Sequence, residues 1–221
     1  MDSQIIYGII SILCFAPAIV IHEVAHGFVA YRLGDPTAKS AGRLSLNPLK
    51  HVDPFGTVIL PLILAFTGAP VFGYAKPVPY NPRYFKNLKV GEVLTAFAGP
   101  AANLAMALLA ALVVNVAVLF FNSSGDVSYW VITALIQFIL INLYLMFFNL
   151  LPIPPLDGSS IIVPFLPSKA LPTWYQIQRY ALPILLILVM VVPMFLNFSP
   201  LGIYLDATAG NLTWFLLSSV L

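Results

Sequence analysis

Four stretches of this chain, roughly residues 5–31, 92–121, 129–152 and 179–198, are long and apolar enough for a helix to cross a bilayer, which takes about 20 residues. No soluble core absorbs that much apolar sequence. The chain has 221 residues, of which 60% are hydrophobic and 8% charged, against roughly 25% charged in an ordinary soluble domain. A folded chain of this size still presents much of its surface to solvent, so the solvent must be lipid. Lipid cannot satisfy backbone groups, which makes helices the expected spanning elements. Residues 207–221 are shorter and hold Asn211. They read as a further tilted span or an interfacial helix. The expected fold is an all-α polytopic membrane protein of about five to six transmembrane helices, a single domain over 1–221.

Charge narrows the partners and sets an orientation. The net charge is +2, and no basic run is interleaved with aromatics, so no nucleic-acid partner is expected. Eight of the ten basic residues, Arg32, Lys39, Arg43, Lys50, Lys76, Arg83, Lys86 and Lys89, flank residues 55–74 of the apolar stretch 54–82 on both sides. That stretch is broken by Pro54, Gly56, Pro61, Gly68, Pro70, Gly73, Pro77, Pro79 and Pro82. The positive-inside rule wants both flanks in the cytosol, which favours a re-entrant segment over residues 55–74 rather than a full span. Short apolar pieces between turn residues at 68–81 also fit a β-hairpin. A re-entrant or hairpin segment at roughly 55–80 is therefore expected, either adding a strand to an unwound substrate or serving as a packed plug. The one cysteine, Cys14, excludes an intramolecular disulfide and reads as a small hydrophobe. "MDSQ" offers no basic leader before the apolar run, so the first helix reads as retained rather than cleaved.

Within the first apolar run lies "HEVAH", residues 22–26, holding two of the chain's three histidines and one of its two glutamates. On a helix, i and i+4 share a face, so His22 and His26 can present two imidazoles to one ion. Glu23 then reaches a water on that ion, the arrangement by which HExxH serves metal-assisted hydrolysis. An ionised group at bilayer depth costs on the order of 2.5 to 3.5 kcal/mol, which a purely structural polar stripe does not offset and metal coordination does. One Zn²⁺ per chain is the expected cofactor. Such a site takes a third protein ligand and keeps one position open.

The inventory for that ligand is Glu92, Asp2, Asp35, Asp53, Asp126, Asp157, Asp206, His51 and Cys14. Asp157 stands out in "FFNLLPIPPLDGSS", where a span breaks into Pro152, Pro154 and Pro155 before Asp157 and Gly158. Prolines end the helix and Gly158 permits a tight turn, so the carboxylate can be aimed back. His22 and His26 lie near the cytosolic end of the first span, and Asp157 follows a span ending on that side only if 55–74 re-enters. Re-entry and Asp157 ligation stand together.

"HEVAH", "AGPAAN" at 98–103 and "NLLPIPPLDG" at 149–158 together resemble the three diagnostic motifs of the site-2 proteases, intramembrane zinc metalloproteases of peptidase group M50. The resemblance covers about residues 5–165 and looks like a minimal member, without PDZ or CBS domains. It implies that His22, His26 and Asp157 hold zinc and that Glu23 is the general base and acid. It also implies a core of three helices, which the apolar runs place at about 5–31, 92–121 and 129–152; the runs at about 179–198 and 207–221 are then accessory helices. The substrate implied is itself a transmembrane-helix protein, reached in membrane lipid. The charge pattern puts the active site toward the cytosolic side of a multi-pass protein.

Asn103 and Asn149 can each donate to a substrate carbonyl or its oxyanion, or form an interhelical hydrogen bond. His51 reads as a local hydrogen-bonding residue or as an accessory group at the mouth of the site. Two rivals use the same metal site, a membrane metal carrier and a non-catalytic binder of transmembrane helices. A carrier calls for further polar ligands along a path. Gln137 and Asn142 are uncharged, and the intact HExxH glutamate speaks against a mere binder.

Overall fold

The computed structural model describes residues 3–67, 73–120, 126–196 and 198–218. Three long helices form its centre: α1 (Ser3–Arg32), α4 (Leu88–Phe120) and α5 (Asp126–Asn149). At 1.5 Å per residue α1 is about 45 Å long, more than the roughly 30 Å of hydrocarbon in a bilayer. Among the described residues these three helices are long and apolar enough to cross a membrane. Their outward faces carry exposed Ile12, Leu13, Leu109 and Leu112. Their contacts use small residues instead, with Ala18, Ala30, Ala107, Ala110 and Ala111 buried. Small side chains let helix backbones approach where lipid gives no hydrophobic drive to associate.

The buried seam of α1 takes every fourth residue, Cys14, Ala18, His22, His26 and Ala30. Both HEVAH imidazoles therefore sit in the packing seam and not on the lipid face. Contacts set the directions of the bundle. His22 bonds Asn103 and His26 bonds Thr95, so α4 runs antiparallel to α1. Tyr7 bonds Tyr129 and Cys14 bonds Ala134, so α5 runs parallel to α1. The end of α1, the start of α4 and the end of α5 thus share one end of the bundle.

The chain between α1 and α4 starts and finishes at that end. It contains α2 (Thr37–Ser40), a π-helical turn Pro54–Ile59 and α3 (Leu60–Thr67). Asp53 starts the excursion by accepting from the backbone N–H groups of Phe55 and Gly56. The return is pinned beside the departure: Tyr74 N–H donates to Gly56 O at 3.0 Å, Thr57 Oγ1 donates to Tyr74 O at 2.9 Å, and Lys76 N–H donates to His51 O at 2.9 Å. The two ends of the connection therefore lie side by side. Residues 68–72, part of the expected hairpin, lie outside the described residues. Residues 73–81 run as irregular backbone, and no strand occurs among the described residues.

After α5, the turns of 150–156 lead into 3₁₀ turns over Asp157–Phe165, which Lys89 ties to the start of α4 by donating to Pro164 O and Leu166 O. The helix expected at 179–198 begins earlier, as α6 (Leu171–Met190), and breaks at Val191 before α7 (Val192–Leu196). Its first half holds Tyr175, Gln176, Gln178 and Tyr180, which is why it falls short of the apolarity of the central three. The expected tail helix at 207–221 also starts earlier, as α8 (Pro200–Leu205), a π-helical turn and α9 (Asn211–Leu217). Ala209 and Leu217 pack it into the α4–α5 core with Val114, Ile139 and Leu143.

Candidate metal centre

His22, His26 and Asp157 come together from elements 131 to 135 residues apart in sequence. The two imidazole Nε2 atoms are 3.0 Å apart, and Asp157 Oδ2 lies 3.2 Å from each. Ligands about 2.0–2.1 Å from a tetrahedral zinc ion stand about 3.3 Å from one another, so this triangle has the size such an ion requires. Asp157 Oδ2 is buried with no hydrogen-bond partner. A buried carboxylate oxygen left unpaired is costly, and an ion facing all three atoms removes that cost. The donor set fits a divalent cation.

Both imidazoles are aimed from behind. His26 Nδ1–H donates to Thr95 O at 2.7 Å, and His22 Nδ1–H donates to Asn103 Oδ1 at 2.5 Å. A donor at Nδ1 fixes the tautomer that leaves Nε2 free to ligate. Gly99 of α4 stands against the pair, where an added Cβ would fall 2.6 Å from His22 Nε2 and closer still to His26 Nε2. The absence of a side chain at 99 makes the space. Gly158 does the same for Asp157. Its Cβ would meet the Leu150 carbonyl oxygen, and Leu151 O at 2.5 Å. Among the described residues Gly34 and Gly42 are the glycines of positive φ, so Gly158 serves close approach rather than an unusual dihedral. Gly158→Ala is expected to destabilise the chain by about 1–3 kcal/mol through overpacking. Thermal melting in detergent, read together with zinc content, checks this, since the strain falls beside a ligand.

A cavity of about 470 Å³ opens on the three atoms, lined also by Glu23, Val78, Tyr80, Asn149, Ser160 and Gln178. Glu23 Oε2 accepts from Val78 N–H at 2.8 Å. The returning coil 73–81 thereby holds the carboxylate beside the centre. Burial, followed by the charges of Glu92 and Asp157, pushes the Tyr80 phenol above its ordinary range, so it stays protonated and able to donate.

The other sequence candidates separate. Asn149 lines the cavity, its Nδ2 donating to Leu145 O. Of the two alternatives for Asn103 the structure has the interhelical one: it is 0% exposed with its amide bonded to His22 and Asn142. It stands behind a ligand and not in front of the centre. His51 is buried, donates from Nε2 to Ser45 O, and is not among the cavity's lining residues. Glu92 accepts from Tyr175 Oη at 2.5 Å, Asp206 accepts from Tyr144, and Asp35 and Asp53 hold local turns. Cys14 donates to Ala134 O. Asp2 and the Asp126 side chain lie outside the described residues.

Sequence reasoning missed Thr95 O, Val78 N–H and Tyr80, and had Asn142 only as an uncharged polar residue and Gly99 only as part of AGPAAN. Only Gly99 left a usable trace. It and Asn103 are four apart on one helix face, as are the two histidines they meet. Backbone partners such as Thr95 O and Val78 N–H leave none.

Comparison with known proteins agrees with this chemistry. The chain is 40% identical over 187 residues to the protein named "Putative zinc metalloprotease YwhC" of Bacillus subtilis, covering 83% of this chain and 77% of that protein. It is 28% identical over 208 residues to "Putative zinc metalloprotease Rip2" of Mycolicibacterium smegmatis, covering 90% and 77%. Rip2 of Mycobacterium tuberculosis is 30% identical over 171 residues, covering 77% and 62%. No family model and no solved structure matches the chain.

Proposed function

We propose that this chain, which belongs to the zinc metalloprotease family of YwhC, is an intramembrane endopeptidase of the site-2 type that cuts a substrate transmembrane helix. The observation that carries the proposal is a ligand triangle of zinc dimensions with a glutamate beside it, set in the seam of helices able to cross a membrane. His22, His26 and Asp157 would hold one zinc ion. The ion supplies Lewis acidity, polarising an amide carbonyl and making water acidic enough to give up its proton near neutral pH.

The chain's own residues do the rest. Glu23, fixed by Val78 N–H, takes the proton from the attacking water and returns it to the departing amine. Tyr80 and Asn149 line the same cavity and can donate to the carbonyl oxygen as negative charge develops on it. Asn103 and Thr95 O keep the two imidazoles turned toward the centre. A helical amide is shielded by its own hydrogen bond, so the substrate must unwind to bring its carbonyl into the cavity. The eight basic residues from Arg32 to Lys89 lie in the connection between α1 and α4 or in the helix turns that adjoin it, at the site's end of the bundle. By the positive-inside rule that end faces the cytosol.

Purified in detergent, the chain is expected to carry about one zinc and to cleave a transmembrane peptide in liposomes. Chelation should abolish both and zinc restore both. Zinc bound with no cleavage, across a panel of transmembrane peptides, would turn the reading to a metal carrier or a non-catalytic helix binder.

A further inference from the structure

The two imidazoles of the centre are held by acceptors of different kinds. His26 donates to Thr95 O, a backbone carbonyl that cannot turn round. His22 meets the side-chain amide of Asn103. The two ends of an amide are nearly alike in shape and opposite in polarity, Oδ1 accepting and Nδ2 donating. With Oδ1 toward the ring, Nδ1 carries the proton and Nε2 keeps its lone pair for an ion. Rotated by half a turn, the amide would present Nδ2 and occupy the Nδ1 lone pair. The ring proton would then move to Nε2, the atom facing Asp157 and His26, and His22 would cease to be a ligand.

Something must therefore set the sense of the Asn103 amide. Its Nδ2 donates to Asn142 Oδ1 at 2.8 Å and, at 3.4 Å, to Ala18 O. Asn142 is itself oriented, because its own Nδ2 donates to Phe138 O at 2.8 Å, one turn back on α5. That bond leaves Oδ1, and not Nδ2, turned toward Asn103. Both asparagines are 0% exposed, so bulk water does not stand in for either partner. The run Phe138 O, Asn142, Asn103, His22 has one polarity from end to end, and it links α5 to a ligand on α1 through α4.

We infer that Asn142 is a positioning residue for the metal centre, setting the amide sense of Asn103 and through it the ring tautomer of His22. The inference rests on the metal-centre reading above. It assigns to α5 a part in the site in addition to carrying the chain to Asp157.

The test is the zinc affinity of the full chain in detergent, measured by competition with a chromophoric chelator, together with the visible spectrum of the cobalt(II) form. Five proteins suffice: wild type, Asn142→Leu, Asn142→Asp, Asn103→Asp and the double variant Asn103→Asp/Asn142→Leu. Asn142→Leu is expected to weaken zinc by about 10–100-fold and to alter the cobalt spectrum, with the melting of the metal-free chain little changed. Asn142→Asp keeps an acceptor toward Asn103 and should recover most of that loss. Asn103→Asp has two accepting oxygens and no sense to set, so adding Asn142→Leu should take nothing further. Wild-type zinc affinity in Asn142→Leu overturns the inference. So does an equal loss from Asn142→Leu in both backgrounds, which is what plain packing would give. Wild type without zinc affinity removes the centre and the inference together. Zinc bound without peptide cleavage sinks the protease reading alone.

Discussion

Glu23→Gln is expected to keep about one zinc per chain while cleavage of a transmembrane peptide falls by about 10²–10⁴-fold, the usual range for loss of a general base. The variant is informative because it changes so little else. Glu23 Oε2 accepts from Val78 N–H, and the glutamine carbonyl oxygen can accept the same bond. Coil 73–81 should therefore stay in place, and with it Tyr80. Only the capacity to take a proton is removed. His22→Ala removes one of the three proposed ligands and is expected to lose zinc and cleavage together. Cleavage within tenfold of wild type in Glu23→Gln would show that another group takes the proton.

Gly99→Ala is expected to weaken zinc binding by about 100-fold or more, beyond the loss that follows from disturbing an outer partner of a ligand. One methyl group is enough because it has nowhere to go. Its carbon would sit 2.6 Å from both His22 Cε1 and Nε2, and nearer to His26 Nε2. Neither ring can retreat, since Asn103 pins His22 and Thr95 O pins His26. Overpacking of this kind commonly destabilises by about 1–3 kcal/mol, which a long apolar bundle can survive. Gly8→Ala on α1 is the control, because an added Cβ there meets nothing within 4 Å. Zinc titration of the two variants separates a filled site from a general loss of fold. Normal zinc affinity in Gly99→Ala would mean that the ion sits elsewhere.

Local chemistry was the legible part of this protein. The spans at 5–31, 92–121 and 129–152 were read within a few residues of α1, α4 and α5, because a bilayer demands apolar runs of a set length. The accessory helices were read less well. Their apolar stretches continue into polar flanks, as at Tyr175 and Gln178, and hydropathy does not see a helix that continues into polar sequence. Asn103 was legible as a polar residue in a seam but not as the partner of His22.

By itself the sequence determined that the chain is helical and lipid-facing, that HEVAH turns two imidazoles and a carboxylate to neighbouring positions, and that one broken helix end carries an acid. Each of these follows from periodicity, composition or backbone chemistry over a few residues. Tertiary structure alone decided that Asp157 Oδ2 comes within 3.2 Å of both imidazoles, that Gly99 clears the space between helices, and that Val78 N–H holds Glu23. It also decided that two buried asparagines stand in line behind His22. These depend on how three helices are rotated and offset against one another, which is a sum over many weak packing contacts and is written at no single position of the chain.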